Sequence, residues 1–404
     1  MKGGAFRGWF AVIAAGLALA PTTRAQTGDP LDRIVDEAVR VSLRRLEGSV
    51  REVGDSALYP TYGTPQRKWQ LKASADWTSG FYPGCLWYAF ELSRDPRFEQ
   101  WAQAWTAPIE KEKLNADTHD LGFRFMSSFG NGLRLGRGPE YVGYPDILHT
   151  AARTLAQRFN PRVGCLSSNW DGAPLDHSFP VVIDIMMNLE LLLWSAEHGG
   201  PAVLRDDARA HADTTLRDFI RADGGTYHVV RYNREDGTVL NKGTLQGAGP
   251  ETTWSRGHAW AQYGLVVMFR YTRDPRYLEA AMRLADHFLQ HLPADHVSPW
   301  DFQSDIKYRD VSATAIVTSS LFEMVRYVED PVRRRHYQDE ADAMLAALSR
   351  PPCFATAADT NCLLDHSVQY LALNSNVDVP AIFADYYFLE SIVRYRGLAA
   401  AVGR

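Results

Sequence analysis

The sequence predicts an all-α fold, an (α/α)6 toroid in which six helical hairpins close into a ring, with a small β-hairpin near one mouth. Three observations predict it. A small or aromatic-rich opening, an apolar helix of about 15 residues and a Pro-marked stop recur along the chain. A charged, one-sided helix follows each of Pro96, Pro139, Pro201, Pro275 and Pro331, and Pro suits the first helical position. The intervals between these prolines, about 40 to 75 residues, match one αα-hairpin with its loop. A helix that is apolar all round has to be buried, whereas a one-sided helix faces solvent. Six inner helices within six outer ones satisfy both demands. A solenoid of stacked pairs is the competing architecture.

In chain order, the first 25 residues stand apart from the fold. Lys2 and Arg7 precede an apolar run from Trp9 to Ala20, and Pro21 and a Thr23-x-Ala25 ending follow. This pattern is that of a cleaved secretory signal, too short for a membrane anchor. No cysteine lies near the cleavage point, so a lipid anchor is not expected. Residues 26–404 are then expected to form a single domain, periplasmic or secreted.

The inner helices are expected in WTSGFYPGCLWYAFELSRDP, HDLGFRFMSSFGNGLRLGRGP, VVIDIMMNLELLLWSAEHGGP, SRGHAWAQYGLVVMFRYTRDP, DVSATAIVTSSLFEMVRYVEDP and IFADYYFLESIVRYRGL. The segment RYLEAAMRLADHFLQHL typifies the outer helices, with apolar residues at i, i+3, i+4 and i+7. Between the third and fourth inner helices, GGTYHVVRYNREDGTVLNKGTLQG alternates apolar and polar residues around Asp236-Gly237. That alternation predicts a β-hairpin over one mouth.

Each inner helix starts where its hairpin crosses into the ring, so the six starts should share a mouth. Trp77, His119, Asp120, Asp184, Arg256, His258 and Asp385 would then surround one cavity. Asp184 lies inside FPVVIDIMMNLELLLW, with Asn188 as its one polar companion at i+4. With Pro180 as the first helical residue, Asp184 falls in the second turn, past any capping position. Burial raises a carboxyl pKa, and a raised pKa suits a general acid near neutral pH. A buried Asp bonded to backbone is the structural alternative. Asp120 shares its segment with Asp117 and Thr118, all of which could cap a helix. Two carboxylates from different helices facing one cavity are, however, the equipment of glycoside chemistry.

Trp77, Trp170, Trp254 and Trp260 could stack on sugar rings, with core packing as the alternative. Arg256, between Trp254 and Trp260, asks for an anion, and an internal ion pair with Glu251 is the alternative to a ligand. The chain carries a net charge of −5, which disfavours a nucleic-acid partner. Local positive groups such as His119, His228 and Arg256 would be needed to hold an acidic sugar against that field. Cys353 and Cys362 flank PPCFATAADTNC and could pair, while no Cys or His spacing suggests zinc.

Taken together, DWTSGFYPG, HDLGF, NWDG, VIDIMMNL, HADTT, GGTYHVV, LQG, ETTWSRGHAW, DVSATA and ADYYFLE resemble the unsaturated glucuronyl hydrolases, family 88 of the glycoside hydrolases. The resemblance runs from Trp77 to Glu390 and implies the (α/α)6 toroid. It also implies that the substrate is an oligosaccharide ending in a 4,5-unsaturated glucuronic acid left by a lyase. By resemblance, Asp184 is the acid/base that hydrates the double bond, and Asp120 is the second carboxylate. Trp77, His119, Trp170, His228, Gln246, Arg256 and Trp260 match positions that line the sugar site. No metal or organic cofactor is implied. Some relatives that accept sulfated disaccharides carry Ser-x-x-Ser-x-Lys before the last inner helix. Here QYLALNSNVDVPAIFADYY has no lysine, although Lys242 or Lys307 could stand in. The alternatives are an unsaturated rhamnogalacturonyl hydrolase, an inverting glycosidase using Asp184 and Asp120, a periplasmic sugar-binding protein and a helical scaffold. A buried acid at 184 argues against the sugar-binding protein, and the aromatic-rich inner openings argue against a scaffold, which would show an exposed groove.

Overall fold

A computed structural model describes residues 29–168 and 177–401. The leader and Trp170 therefore lie outside the described residues. The inner helices are α2 (Phe81–Ser93), α4 (Leu121–Phe125) continuing into α5 (Asn131–Leu135), α7 (Ile185–Glu197), α9 (Ser255–Thr272), α11 (Val311–Met324) and α13 (Ile382–Ala401). Every residue of α11 is buried, as are the first fourteen of α9, which is what all-round apolarity demands. The outer helices are α1 (Pro30–Val53), α3 (Pro96–Thr106), α6 (Tyr144–Ala156), α8 (Val203–Asp218), α10 (Pro275–Gln290) and α12 (Pro331–Leu348). On α10 the buried residues Tyr277, Ala281, Leu284, Ala285, His287 and Phe288 form one stripe.

The ring closes. Helix α13 packs against both α11 and α2, and the remaining inner helices touch in sequence around the circle. A solenoid would leave its terminal helices apart, so the toroid is the architecture. The pairing frame differs from the expected one by half a hairpin. The expected pairs run inner then outer, but the chain ends on inner α13, and the sixth outer helix is α1, packed on α2 and α12.

Three outer helices start at the Asp-Pro pairs that the sequence marks as stops. Asp95, Asp274 and Asp330 each accept a backbone N–H from the first turn, with Pro at the next position. The inner helices before α3 and α10 end at Arg94 and Arg273, both in the left-handed conformation. The same few residues thus stop one helix and start the next. The second inner helix is interrupted by a wider π turn over Met126–Gly130.

Among the described residues, four small antiparallel sheets accompany the helices: β1 (Tyr59–Gly63) with β2 (Trp69–Lys72), and β3 (Phe159–Asn160) with β4 (Cys165–Leu166). The third joins β5 (Ser178–Val182), β6 (Val229–Asn233) and β7 (Val239–Gly243), and the fourth is β8 (Ser367–Tyr370) with β9 (Ser375–Val379). The expected hairpin is β6–β7, with Gly237 at φ 77 in its turn. Strand β5 adds to it in full register, Val181 opposite Val230. The run FPVVIDIMMNLELLLW is therefore not one helix. Its first part is β5 and α7 starts at Ile185, because the β-branched pair Val181-Val182 finds a strand to pair with. The four cysteines are buried and free, so Cys353 and Cys362 are not bridged.

Candidate active site

The starts of α2, α4, α7 and α9 meet β8 around a cavity of about 570 Å3. Six of the expected residues line it: Trp77, His119, Asp120, Asp184, Gln246 and Arg256. Asp184 occupies the position before α7, where an Asp ordinarily caps the helix. It does not do so here, because its backbone is already helical and its side chain accepts no capping bond. Its Oδ2 is buried without a hydrogen-bond partner, and the carboxyl is pushed up to about 7, first by burial and then by the Asp120 charge. Arg256 pulls in the opposite direction but does not prevail. Asn188, the expected companion, bonds to the Asp184 backbone and not to its carboxyl: its Nδ2 donates to the Asp184 carbonyl at 3.4 Å while its Oδ1 accepts from the Phe123 N–H at 2.9 Å.

Asp120 lies just before α4, with Thr118 donating to its Oδ2 at 3.3 Å and His119 Nε2 3.3 Å from its Oδ1. Burial holds the His119 ring below the usual imidazole range despite the Asp120 charge. His228 comes from the hairpin and places Nε2 3.7 Å from Asp184 Oδ2. Its Nδ1 accepts the backbone N–H groups of Leu245 and Gln246 at 3.2 and 3.3 Å, so the ring hydrogen sits on Nε2, the nitrogen nearer Asp184. Burial, followed by the charges of Arg256 and His119, lowers His228 to about 3, so the ring is neutral.

Both terminal nitrogens of Arg256 are engaged. It pairs with Asp310 at 2.8 Å, not with Glu251, and also donates to Gln246 Oε1 and to the carbonyls of Val368 and Gln369. Its guanidinium lies between the Trp254 and Phe383 rings, 4.7 and 5.3 Å from their centroids. Glu251 instead accepts from the Tyr227 hydroxyl.

Four expected members do not line the cavity; one is His228, which stands beside Asp184 without being part of the lining. Trp260 is 1 % exposed and packs on Phe123 and Tyr387 behind the wall, so it belongs to the core. His258 faces the outer ring, with Nε2 2.8 Å from the Leu284 carbonyl. Asp385 accepts the Leu363 and Leu364 N–H groups at 2.9 Å each, tying a loop to α13. Residues on one inner helix face different ways at 3.6 residues per turn, so sharing a helix start does not make them share a cavity. Conversely, Phe123, Leu245, Trp254, Gln369 and Tyr370 complete the lining. Trp254 carries a sequence signal as one of the four candidate stacking tryptophans. Gln369 and Tyr370 sit in a segment without periodicity, so nothing local marks them as cavity residues.

No family model matches the chain. A curated unsaturated glucuronyl hydrolase of Formosa agariphila is 40% identical over 332 residues, 80% of this chain and 81% of that one. A solved unsaturated glucuronyl hydrolase specific for heparin superposes with a TM-score of 0.86 at 34% identity, covering 91% of this chain and 98% of the other. Another, holding dGlcA-Glc-Rha-Glc, gives 0.84 at 29% identity over 90% and 97% of the two chains. Identity of this degree over four-fifths of both chains goes beyond a shared toroid: this chain belongs to the unsaturated glucuronyl hydrolases, a family of glycoside hydrolases.

Proposed function

We propose that the protein releases a non-reducing terminal 4,5-unsaturated glucuronic acid from lyase-generated oligosaccharides by hydrating the C4=C5 double bond. Asp184 gives its proton to C4, water adds to C5, and the carboxylate takes a proton from that water. The resulting hemiketal at C5 collapses, the ring opens, and the rest of the sugar leaves. The observation that carries this reading is the Asp184 carboxyl, which burial and Asp120 push up to about 7. Such a group is protonated often enough to act as an acid and ionised often enough to act as a base at neutral pH. His228, neutral, places Nε2 3.7 Å from Oδ2, within reach of a hydrogen bond after a small movement. Asp120 fits a role in positioning water or substrate beside Asp184, and the half-buried ring of Trp77 offers a face for sugar. Oligosaccharides bearing a terminal unsaturated uronic acid are accordingly the substrate class, and the leader at residues 1–25 supports export of a single catalytic domain, 26–404.

The test is loss of the conjugated alkene's ultraviolet absorbance when purified protein meets unsaturated disaccharides from chondroitin, hyaluronan, heparin, gellan and ulvan. No loss with any of them would overturn the reading. In heavy water the released keto sugar should carry deuterium at C4, whereas ordinary glycosidic cleavage would leave C4 unlabelled.

A further inference from the structure

A chain of three amides runs from β2 through the β8–β9 ribbon to the cavity wall. Gln70 Nε2 donates to the Gly63 carbonyl at 3.2 Å and to Asn376 Oδ1 at 3.0 Å. A carbonyl only accepts, so Gly63 determines which end of the Gln70 amide is nitrogen. Asn376 must then turn its Nδ2 the other way, and it donates to Gln369 Oε1 at 2.5 Å. The order of the first amide thereby propagates to the last. Gln369 has its oxygen occupied on the side of Asn376, which does not line the cavity, and its Nε2 hydrogens are left to the cavity side. The Gln369 carbonyl accepts from Arg256, so the backbone at this point is held as well. Asn376 is in the left-handed region at φ 49, between Asn374 at 48 and Asp378 at 58. Asn and Asp tolerate this conformation better than other side chains, and here it belongs to the turn of chain that brings the Asn376 amide within reach of both partners.

Position suggests what the donor meets. Along β8, Ser367 and Val368 are buried while Gln369 and Tyr370 are half-buried, so these two form the outer part of the wall. The terminal ring must reach Asp184, which leaves the sugar to be released against that outer part. We propose that Gln369 is a specificity-determining residue. Held by the Gln70–Asn376 relay, its Nε2 donates a hydrogen bond to an oxygen of the leaving sugar. The guanidinium on the wall, Arg256, is committed to Asp310, so recognition at this end comes from an uncharged donor and suits a neutral, hydroxyl-bearing sugar. This inference rests on the proposed hydration of a terminal unsaturated glucuronate.

The experiment compares two substrates of the full chain by alkene absorbance: an unsaturated glucuronyl disaccharide with a neutral second sugar, and the methyl glycoside of the same uronic acid, which has no leaving-sugar hydroxyls. In Asn376→Asp the new carboxylate accepts from Gln369 Nε2, the amide turns round, and an acceptor faces the cavity. The disaccharide KM should then rise about 3- to 10-fold, the worth of one uncharged hydrogen bond, with kcat and the methyl-glycoside KM unchanged. Gln369→Ala should raise the disaccharide KM more than the methyl-glycoside KM. Equal changes for both substrates, or no change for the disaccharide, would overturn the proposal. Were the parent protein inert on both, hydration would be the failed reading, and the same comparison of Kd by calorimetry would decide the relay by itself.

Discussion

Asp184 shows how a single side chain links stability to activity. Its proton is the one the proposed reaction uses, so kcat should fall as pH rises through about 7. Asp120 contributes to that raised value, so the alkaline limb of residual activity in Asp120→Asn should move to lower pH, and an unmoved limb would separate the two carboxyls. The same shift costs stability. Folded Asp184 keeps its proton to a higher pH than the unfolded chain, whose carboxyl has the ordinary value of 3.8. The stability from this group is complete below that value and is lost as pH climbs through about 7. Asp184→Asn is neutral throughout, so it should lose turnover by several orders of magnitude yet melt a few degrees higher than the parent at about pH 8, with little difference at about pH 4. Turnover and melting curves across pH check both. The sequence alone indicates that Asp184 is buried and acidic. That its Oδ2 has no partner depends on β5 and β6, which the apolar run conceals.

At the scale of elements, the site depends on how closely α4 approaches α7. A Cβ on Gly122 would stand 2.4 Å from the Asn188 Cα, so glycine there allows the two backbones to touch. Asn188 then reaches across to the Phe123 N–H. Asp120 and Asp184 sit immediately before these two helices, so this contact sets their separation. Gly122→Ala should push α4 outward and reduce kcat/KM at least about tenfold, because a shift near 1 Å misplaces reacting groups. Helicity by circular dichroism should be preserved, and retained activity would show that the contact does not govern the site. Glycine in HDLGF is visible in the sequence, but its contact with Asn188, 66 positions on, is not.

Over the whole molecule, the end of the ring away from the site is lined by charge. Arg270 pairs with Glu190 and, at 3.2 Å, with Glu323, while Arg394 pairs with Glu323 at 2.8 Å and Glu390 at 3.5 Å. Tyr88, Tyr263 and Ser319 donate to Glu390, so the network joins α2, α7, α9, α11 and α13. Burial pushes Glu323 up, but the two arginines outweigh it and hold the carboxyl below its usual range. Each arginine keeps a second glutamate if Glu323 is lost. Glu323→Ala should therefore cost about 3 kcal/mol, the low end for breaking a buried pair, measured by urea unfolding. KM and kcat at the site should be unchanged at low temperature. A loss of activity without a loss of stability would contradict a purely structural role.

Helical periodicity and Asp-Pro punctuation are local, so the sequence by itself determined the six buried helices, most of their solvent-facing partners, the β6–β7 hairpin and the candidacy of both carboxylates. Which faces of those helices look into the cavity is a matter of rotation and long-range contact. The tertiary structure therefore decided that Trp260, His258 and Asp385 support the wall while Trp254, Gln369 and Tyr370 form it. It also decided that Arg256 answers Asp310, 54 positions away, and that α13 meets α2 to close the ring. Helices are made by neighbours in the chain, whereas a cavity is made by residues that only the closed ring brings together.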